Sequence, residues 1–174
     1  MQFDQYRIRP LQRDDFEAWY ALVHRNRARL DFFASTVHRT STPADAREFL
    51  DELLLKAAGR SYLPFVIEDM QSGKVVGFLD LKNIDWNIPK AEMGGYLDVA
   101  VAGQGLATRA FRAFCEYSFE AHGFAKLFLR THVSNVPAIR VAEGAGFERE
   151  GLIRRDYKTA TGELVDLLYF GRLA

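Results

Sequence analysis

VAVAGQGLATRAF, residues 99–111, carries an apolar stretch through two glycines and an alanine into what reads as a helix. Small residues at a strand-to-helix passage allow backbone conformations closed to larger side chains and let a ligand approach closely. Two phosphate-binding designs with glycines at that place are excluded here. A Walker loop needs Lys and then Ser or Thr after its last glycine, whereas Leu106, Ala107 and Thr108 follow Gly105. A dinucleotide fingerprint needs a following strand that ends on an acidic residue, yet LFLRTHV closes with Arg130 and His132. What remains is an anion site at a helix N-terminus. There the free N–H groups of Gln104, Gly105, Leu106, Ala107, Thr108 and Arg109 point at a diphosphate, with the Thr108 hydroxyl as a further donor. A glycine loop taken alone also serves plain backbone geometry, so the surrounding chain has to decide.

The helix after the loop is the best defined in the sequence. From Gln104 to His122, Leu106, Ala110, Phe111, Phe114 and Ser118 share one face, Arg109, Arg112, Glu116 and Glu120 the other, and Gly123 is placed to stop it. Upstream, PFVIED, VVGFLDLKNI and AEMGGYLDVAV are apolar runs separated by QSGK and by a turn at 87–89, which predicts an antiparallel meander. Before it, residues 6–11 form a short strand, a helix begins near Asp14 or Asp15 with Phe16, Trp19, Tyr20 and Val23 on one side, and LDFFASTVHRTSTP reads as a loop. Thr42 and Pro43 then open a second helix with Phe49, Leu50, Leu53 and Leu54 inward. Downstream come the strand KLFLRTHV, a short helix capped by Ser134 or Asn135 and stopped by Gly144 or Gly146, and a hairpin of FEREGLIRRDYK and LVDLLYFGR across a Thr161-Gly162 turn.

Composition narrows the function. Of 174 residues 48% are hydrophobic, enough for one sizeable core and short for two, so a single domain over 1–174 is expected. Lys plus Arg equals Asp plus Glu at 23 each, which gives no field to hold a nucleic acid. The lone Cys115 forms no internal disulfide, the N-terminus lacks a signal pattern, and no apolar run is long enough to span a membrane; a cytoplasmic protein fits. His24, His38, His122 and His132 show no ligand spacing, so no metal is expected.

With these residues in view, the chain resembles the GNAT superfamily of acetyl-coenzyme A dependent N-acetyltransferases. The stretch from Ala102 to Ala107 matches its pyrophosphate loop at both small positions and departs at the first, where Ala102 stands. AEMGGYL, SNVPAIRVAEGAGFEREGLIRRDY and TGELVDLLYFGRL look like segments of the branch that acetylates N-termini of ribosomal and other proteins. The resemblance implies an α/β fold of α+β type. Its central mixed, mostly antiparallel sheet is flanked by helices, with fourth and fifth strands (92–101 and 126–133) splayed apart.

Acetyl-coenzyme A is the implied co-substrate. Its pantetheine would pair with exposed backbone from Leu97 through Val99 to Val101, Asn135 would hydrogen-bond the pantetheine arm, and Arg140 would meet a coenzyme phosphate. The oxyanion would meet the Val99 N–H, and Glu92 would take the amine proton. The family's two usual general-acid positions hold Ala138 and Ala142, leaving Tyr157, or Asp156, to reach in. Phe32, Phe33 and Trp86 fall in loops that would wall the acceptor pocket. The expected acceptor is a protein or peptide N-terminal amine, since an α-amine with a pKa near ~8 needs little help from a base. The rival readings are a small-molecule amine (antibiotic, polyamine or amino acid) and a non-catalytic acyl-coenzyme A binding module. Monomer and homodimer stay open.

Overall fold

The computed structural model describes residues 1–159 and 162–174, the side chain of Asp31 excepted. The chain opens on β1 (Gln2–Phe3) and β2 (Tyr6–Pro10), a tight pair turned at Asp4; the strand expected over residues 6–11 is β2, and β1 precedes it. A 3-10 turn and α1 (Phe16–Asn26) follow, then α2 (Ala34–Arg39) and α3 (Pro43–Ala58). The meander is β3 (Leu63–Asp69), β4 (Lys74–Asp85) and β5 (Lys90–Leu97). After the glycine loop come α4 (Leu106–His122), β6 (Lys126–His132), α5 (Val136–Gly144), β7 (Glu148–Lys158) and β8 (Leu164–Leu173). Thr161 of the expected last turn lies outside the described residues; the strand ends are joined where the Thr159 N–H donates to the Glu163 carbonyl.

The eight strands among the described residues form one sheet in the order β1-β2-β3-β4-β5-β6-β8-β7, antiparallel except between β5 and β6. Side chains alternate between two cores. Phe65, Ile67, Leu79 and Leu81 pack under α4 with Leu106, Ala110 and Phe114, while Val66, Val75 and Phe78 pack under α1 and α3 with Trp19, Leu22 and Leu50. One extra residue keeps both faces filled. Ile67 opposes Gly77 and Glu68 opposes Val75, so Val76 bulges out of register and its side chain joins the α4 core.

Three sequence expectations change. The segment read as a loop contains α2, whose last carbonyls are held from a distance: Arg27 donates to the Val37 oxygen at 2.6 Å and also to Thr40. Its cap comes from another helix, so no local signal marks it. Trp86 stands away from any acceptor mouth; it stacks on Phe124 at 5.1 Å under the Arg60 guanidinium. Finally, β5 stops at Leu97, four residues before the expected end at Val101. Asp98 caps a 3-10 turn over Val99–Val101 by accepting from the Ala100 N–H, and buried Asn26 accepts from the Val99 N–H at 2.9 Å.

Asp98 makes this turn pH-sensitive. Burial works to raise its pKa, but the Arg25 guanidinium, 2.5 Å away, and the Ala100 amide more than offset that and hold it below the usual carboxylate value. A folded pKa below the unfolded one gives stability that is present above about pH 4 and lost as pH falls through the folded value. Melting curves between pH 3 and 7 should therefore show wild type ahead of Asp98→Asn at neutral pH, with the gap closing below about pH 4. A gap constant with pH would refute the ion pair's contribution.

Candidate functional site

The parallel pair β5–β6 is short. Lys90, Ala91 and Glu92 oppose Lys126, Leu127 and Phe128, and beyond that point the two strands separate. The Asp98 N–H donates to the Val76 carbonyl on the β4 side. Because alternate residues of an antiparallel strand address opposite edges, Met93, Gly95 and Leu97 turn their N–H and C=O groups toward the gap. A cavity of about 770 Å³ fills it and reaches both faces of the sheet.

On the α4 face the cavity meets the glycine loop. Gly103 and Gly105 have φ of +82° and +69°, a region that side chains rarely adopt, and Gly105 is the N-cap of α4 without a side chain to cap it. The N–H groups of Leu106, Ala107 and Thr108 therefore lack intrahelical partners at the cavity wall. Asn135 caps α5 by accepting from the Ala138 N–H at 3.3 Å and also lines the cavity, which leaves its amide nitrogen available. Arg140 lines the same end, exposed and without an ion pair among the described residues. Ala107 and Thr108 sit where expected, and Thr108 fills the space beside Gly144 on α5, where a Cβ would lie 2.8 Å from its methyl.

Two loop expectations are corrected. Gln104 and Arg109 do not line the cavity. The Arg109 N–H closes the first helical turn on the Gly105 carbonyl, and its side chain turns away to Asp4 at 2.6 Å and to the Gln104 carbonyl at 2.9 Å, tying the loop to the β1–β2 turn. The expected roles of Val99 and Val101 fail for a related reason. The Val99 N–H is consumed by Asn26 and the Val101 N–H by the Asp98 carbonyl, so neither extends a strand edge, although Val101 still lines the cavity with its side chain.

On the opposite face, Arg29, Phe32, Phe33, Lys82, Glu92, Arg130 and Tyr157 surround the opening. Phe32 stacks on Tyr157 at 5.7 Å and meets the edge of His132 at 5.1 Å. Glu92 is 5% exposed and lies where β5 and β6 part. Arg130 grips it with two hydrogen bonds, 3.1 Å to Oε1 and 2.9 Å to Oε2, and Asn83 of β4 donates to Oε2 at 2.6 Å. Asn83 reaches it from a bulge in β4, at φ +47°. Both carboxylate oxygens are thus committed, which argues against the general-base role expected of Glu92 and makes it a brace across three strands. Asp156 is likewise engaged, accepting from Tyr169 at 2.8 Å and facing Arg130 at 3.5 Å. Cys115 is a core thiol that burial pushes up to a pKa of about 12. Among the described residues no group of His, Cys, Asp and Glu is arranged to hold a metal, and no helix is long and apolar enough to cross a membrane.

Residues 5–148 match the acetyltransferase (GNAT) domain. A putative ribosomal N-acetyltransferase of Bacillus subtilis is 30% identical over 95% of this chain and 90% of its own length. The spermidine N(1)-acetyltransferase of Escherichia coli is 29% identical over 87% and 77%. Among solved structures, a ribosomal L7/L12 alpha-N-protein acetyltransferase in complex with coenzyme A superposes with a TM-score of 0.89 at 18% identity, covering 98% of this chain and 95% of that one.

Proposed function

From the premise that this chain belongs to the GNAT family of acetyl-coenzyme A dependent N-acetyltransferases, we propose that its acceptor is the α-amino group of a protein or peptide. The observation that carries this is the commitment of Glu92. With its carboxylate gripped by Arg130 and Asn83, the cleft offers no idle carboxylate base among the described side chains, so the amine has to arrive partly neutral. At pH 7.5 an α-amine with a pKa near ~8 is about one quarter neutral, and a lysine-like amine near ~10.4 only about a thousandth. The similarity to a putative ribosomal N-acetyltransferase points the same way.

The residues fit acetyl-coenzyme A, whose thioester supplies the activated acetyl group. The bare N–H groups of Leu106, Ala107 and Thr108 at the positive end of α4 suit its diphosphate, with Gly105 allowing close approach. Arg140 suits a phosphate, and the Asn135 amide nitrogen together with the backbone of Leu97, Gly95 and Met93 suits pantetheine, as a strand edge would. The N–H groups of that edge, in place of Val99, donate to the oxygen on which charge develops. A thiol with a pKa near ~8.5 leaves tolerably as the thiolate, so Tyr157, on the acceptor side, assists rather than enables departure.

A second reading, a small amine acceptor, is favoured by the similarity to spermidine acetyltransferases. Kinetics of coenzyme A release separate the two. Short peptides with a free, small first residue should show higher kcat/KM than N-blocked, lysine-bearing counterparts, free amino acids or spermidine. A small amine tenfold faster than every peptide would replace the N-terminal reading.

A further inference from the structure

We infer that the Thr131 hydroxyl is a coenzyme contact, hydrogen-bonding an amide of the pantetheine arm from the β6 wall of the gap, opposite the β5 edge. This deepens the coenzyme reading above and rests on it. Buried polar side chains are kept where they have partners. Among the described residues, every buried Asp, Glu, Asn, Ser and Thr but one uses its side chain in a hydrogen bond. The other two buried hydroxyls, for example, turn back on their own helices or turns: Thr40 donates to the Thr36 carbonyl at 2.7 Å and Ser118 to the Phe114 carbonyl at 2.6 Å. The exception is Thr131, which is 4% exposed and whose hydroxyl makes no hydrogen bond with any described residue. Nor is that oxygen enclosed, since Thr131 forms part of the cavity wall.

Its place in β6 decides which side of the sheet it serves. Leu127 and Leu129 belong to the core under α4 and alternate with Phe128 and Arg130, so Thr131 faces α4, the side of the glycine loop. It stands three residues beyond Phe128, where β6 leaves β5, and Gly95 stands three residues beyond Glu92, the partner of Phe128. The two therefore lie at matching depth on opposite walls of the widening gap. Gly95 turns its backbone N–H and C=O into that gap. The α4 side of the cavity is otherwise largely apolar, with Met93, Leu106, Phe111, Leu129 and Val141 in its lining, and Asn135, four residues on, is the next polar group of the β6 wall. A hydroxyl both donates and accepts, and each amide of pantetheine offers one group of each kind. Thr131 thus supplies on one wall what the Gly95 backbone supplies on the other. For the fold alone a valine would serve as well, because its branched shape suits the same strand position and leaves no hydroxyl to bury. The use of the hydroxyl lies in the liganded protein.

The test is Thr131→Val, with opposite effects expected on stability and on binding. Without ligand the variant should melt at the wild-type temperature or slightly above it, since a methyl of the same shape replaces a hydroxyl the fold leaves unpaired. In titration calorimetry it should bind coenzyme A about five- to tenfold more weakly than wild type, the loss of one hydrogen bond. Adenosine 3′,5′-bisphosphate, which lacks the pantetheine arm, should bind both proteins equally, and Thr131→Ser should recover most of the affinity for coenzyme A. Unchanged affinity for coenzyme A, an equal loss on the bisphosphate, or a ligand-free Tm well below wild type would overturn the contact while the coenzyme reading stands. If wild type itself fails to bind coenzyme A, both fall.

Discussion

Gly105→Asp should fold and yet gain almost nothing in thermal stability from coenzyme A. The position is left-handed, at φ +69°, a conformation that Asp tolerates better than most residues. The nearest atom to a new Cβ is the flexible Arg109 Nη1 at 3.2 Å, so the backbone need not move. The added carboxylate sits at the N-cap, where it satisfies the N–H groups of Ala107 or Thr108 itself and repels the diphosphate that would use them. Wild type at ~100 times its Kd should gain about 2.7 kcal/mol, a Tm rise of roughly 5 to 10 °C for a chain of this size. A ~100-fold weaker variant at the same concentration gains about 0.4 kcal/mol, or roughly 1 °C. An undiminished rise in folded Gly105→Asp would remove the loop from the coenzyme site.

The second large effect concerns the brace. Arg130→Ala leaves Glu92, buried at the apex of the β5–β6 gap, with only Asn83 to hold its charge. Removing one partner of a buried pair costs about 3 to 5 kcal/mol, and because Arg130 borders a cavity that admits water the lower end applies, a Tm loss of roughly 6 to 12 °C. Replacing both residues, as Glu92→Met with Arg130→Met, should recover much of the loss, since no unpaired charge then remains. Glu92→Gln separates brace from base. A brace predicts a lower Tm with kcat within a few-fold of wild type well below the melt, whereas loss of a positioned base would lower the rate ~10²- to 10⁴-fold.

How much of this is legible in the chain depends on where each partner lies. The meander, α4 with its Gly123 stop and the Thr42 cap of α3 follow from residues within one or two turns of one another, and their periodicity declares them. The turn at Val99–Val101 does not, because Asn26 and Arg25, which hold it, sit 73 residues away on α1. For the same reason α2, capped from Arg27, reads as loop. Glu92 was visible as an acid on the right strand, but its role turned on Arg130 and Asn83. A signal for the first existed in LFLRTHV, where Phe128, Arg130 and His132 alternate with the apolar core positions Leu127 and Leu129 and so must face the acceptor side together. Asn83 depends on a bulge that composition does not announce. The helix N-terminus at Gly105–Thr108 is legible because such termini follow local rules, whereas the Arg109 N–H is the first one the helix itself consumes.

The most direct test of the N-terminal acceptor is to offer one peptide that carries both a free α-amine, on a small first residue, and an internal lysine, in competition with spermidine. Tandem mass spectrometry then locates the acetyl group after limited turnover. The acetyl should sit on the α-nitrogen of the peptide, with little on the lysine and little on spermidine. Acetyl found chiefly on the lysine Nζ or on spermidine would contradict it.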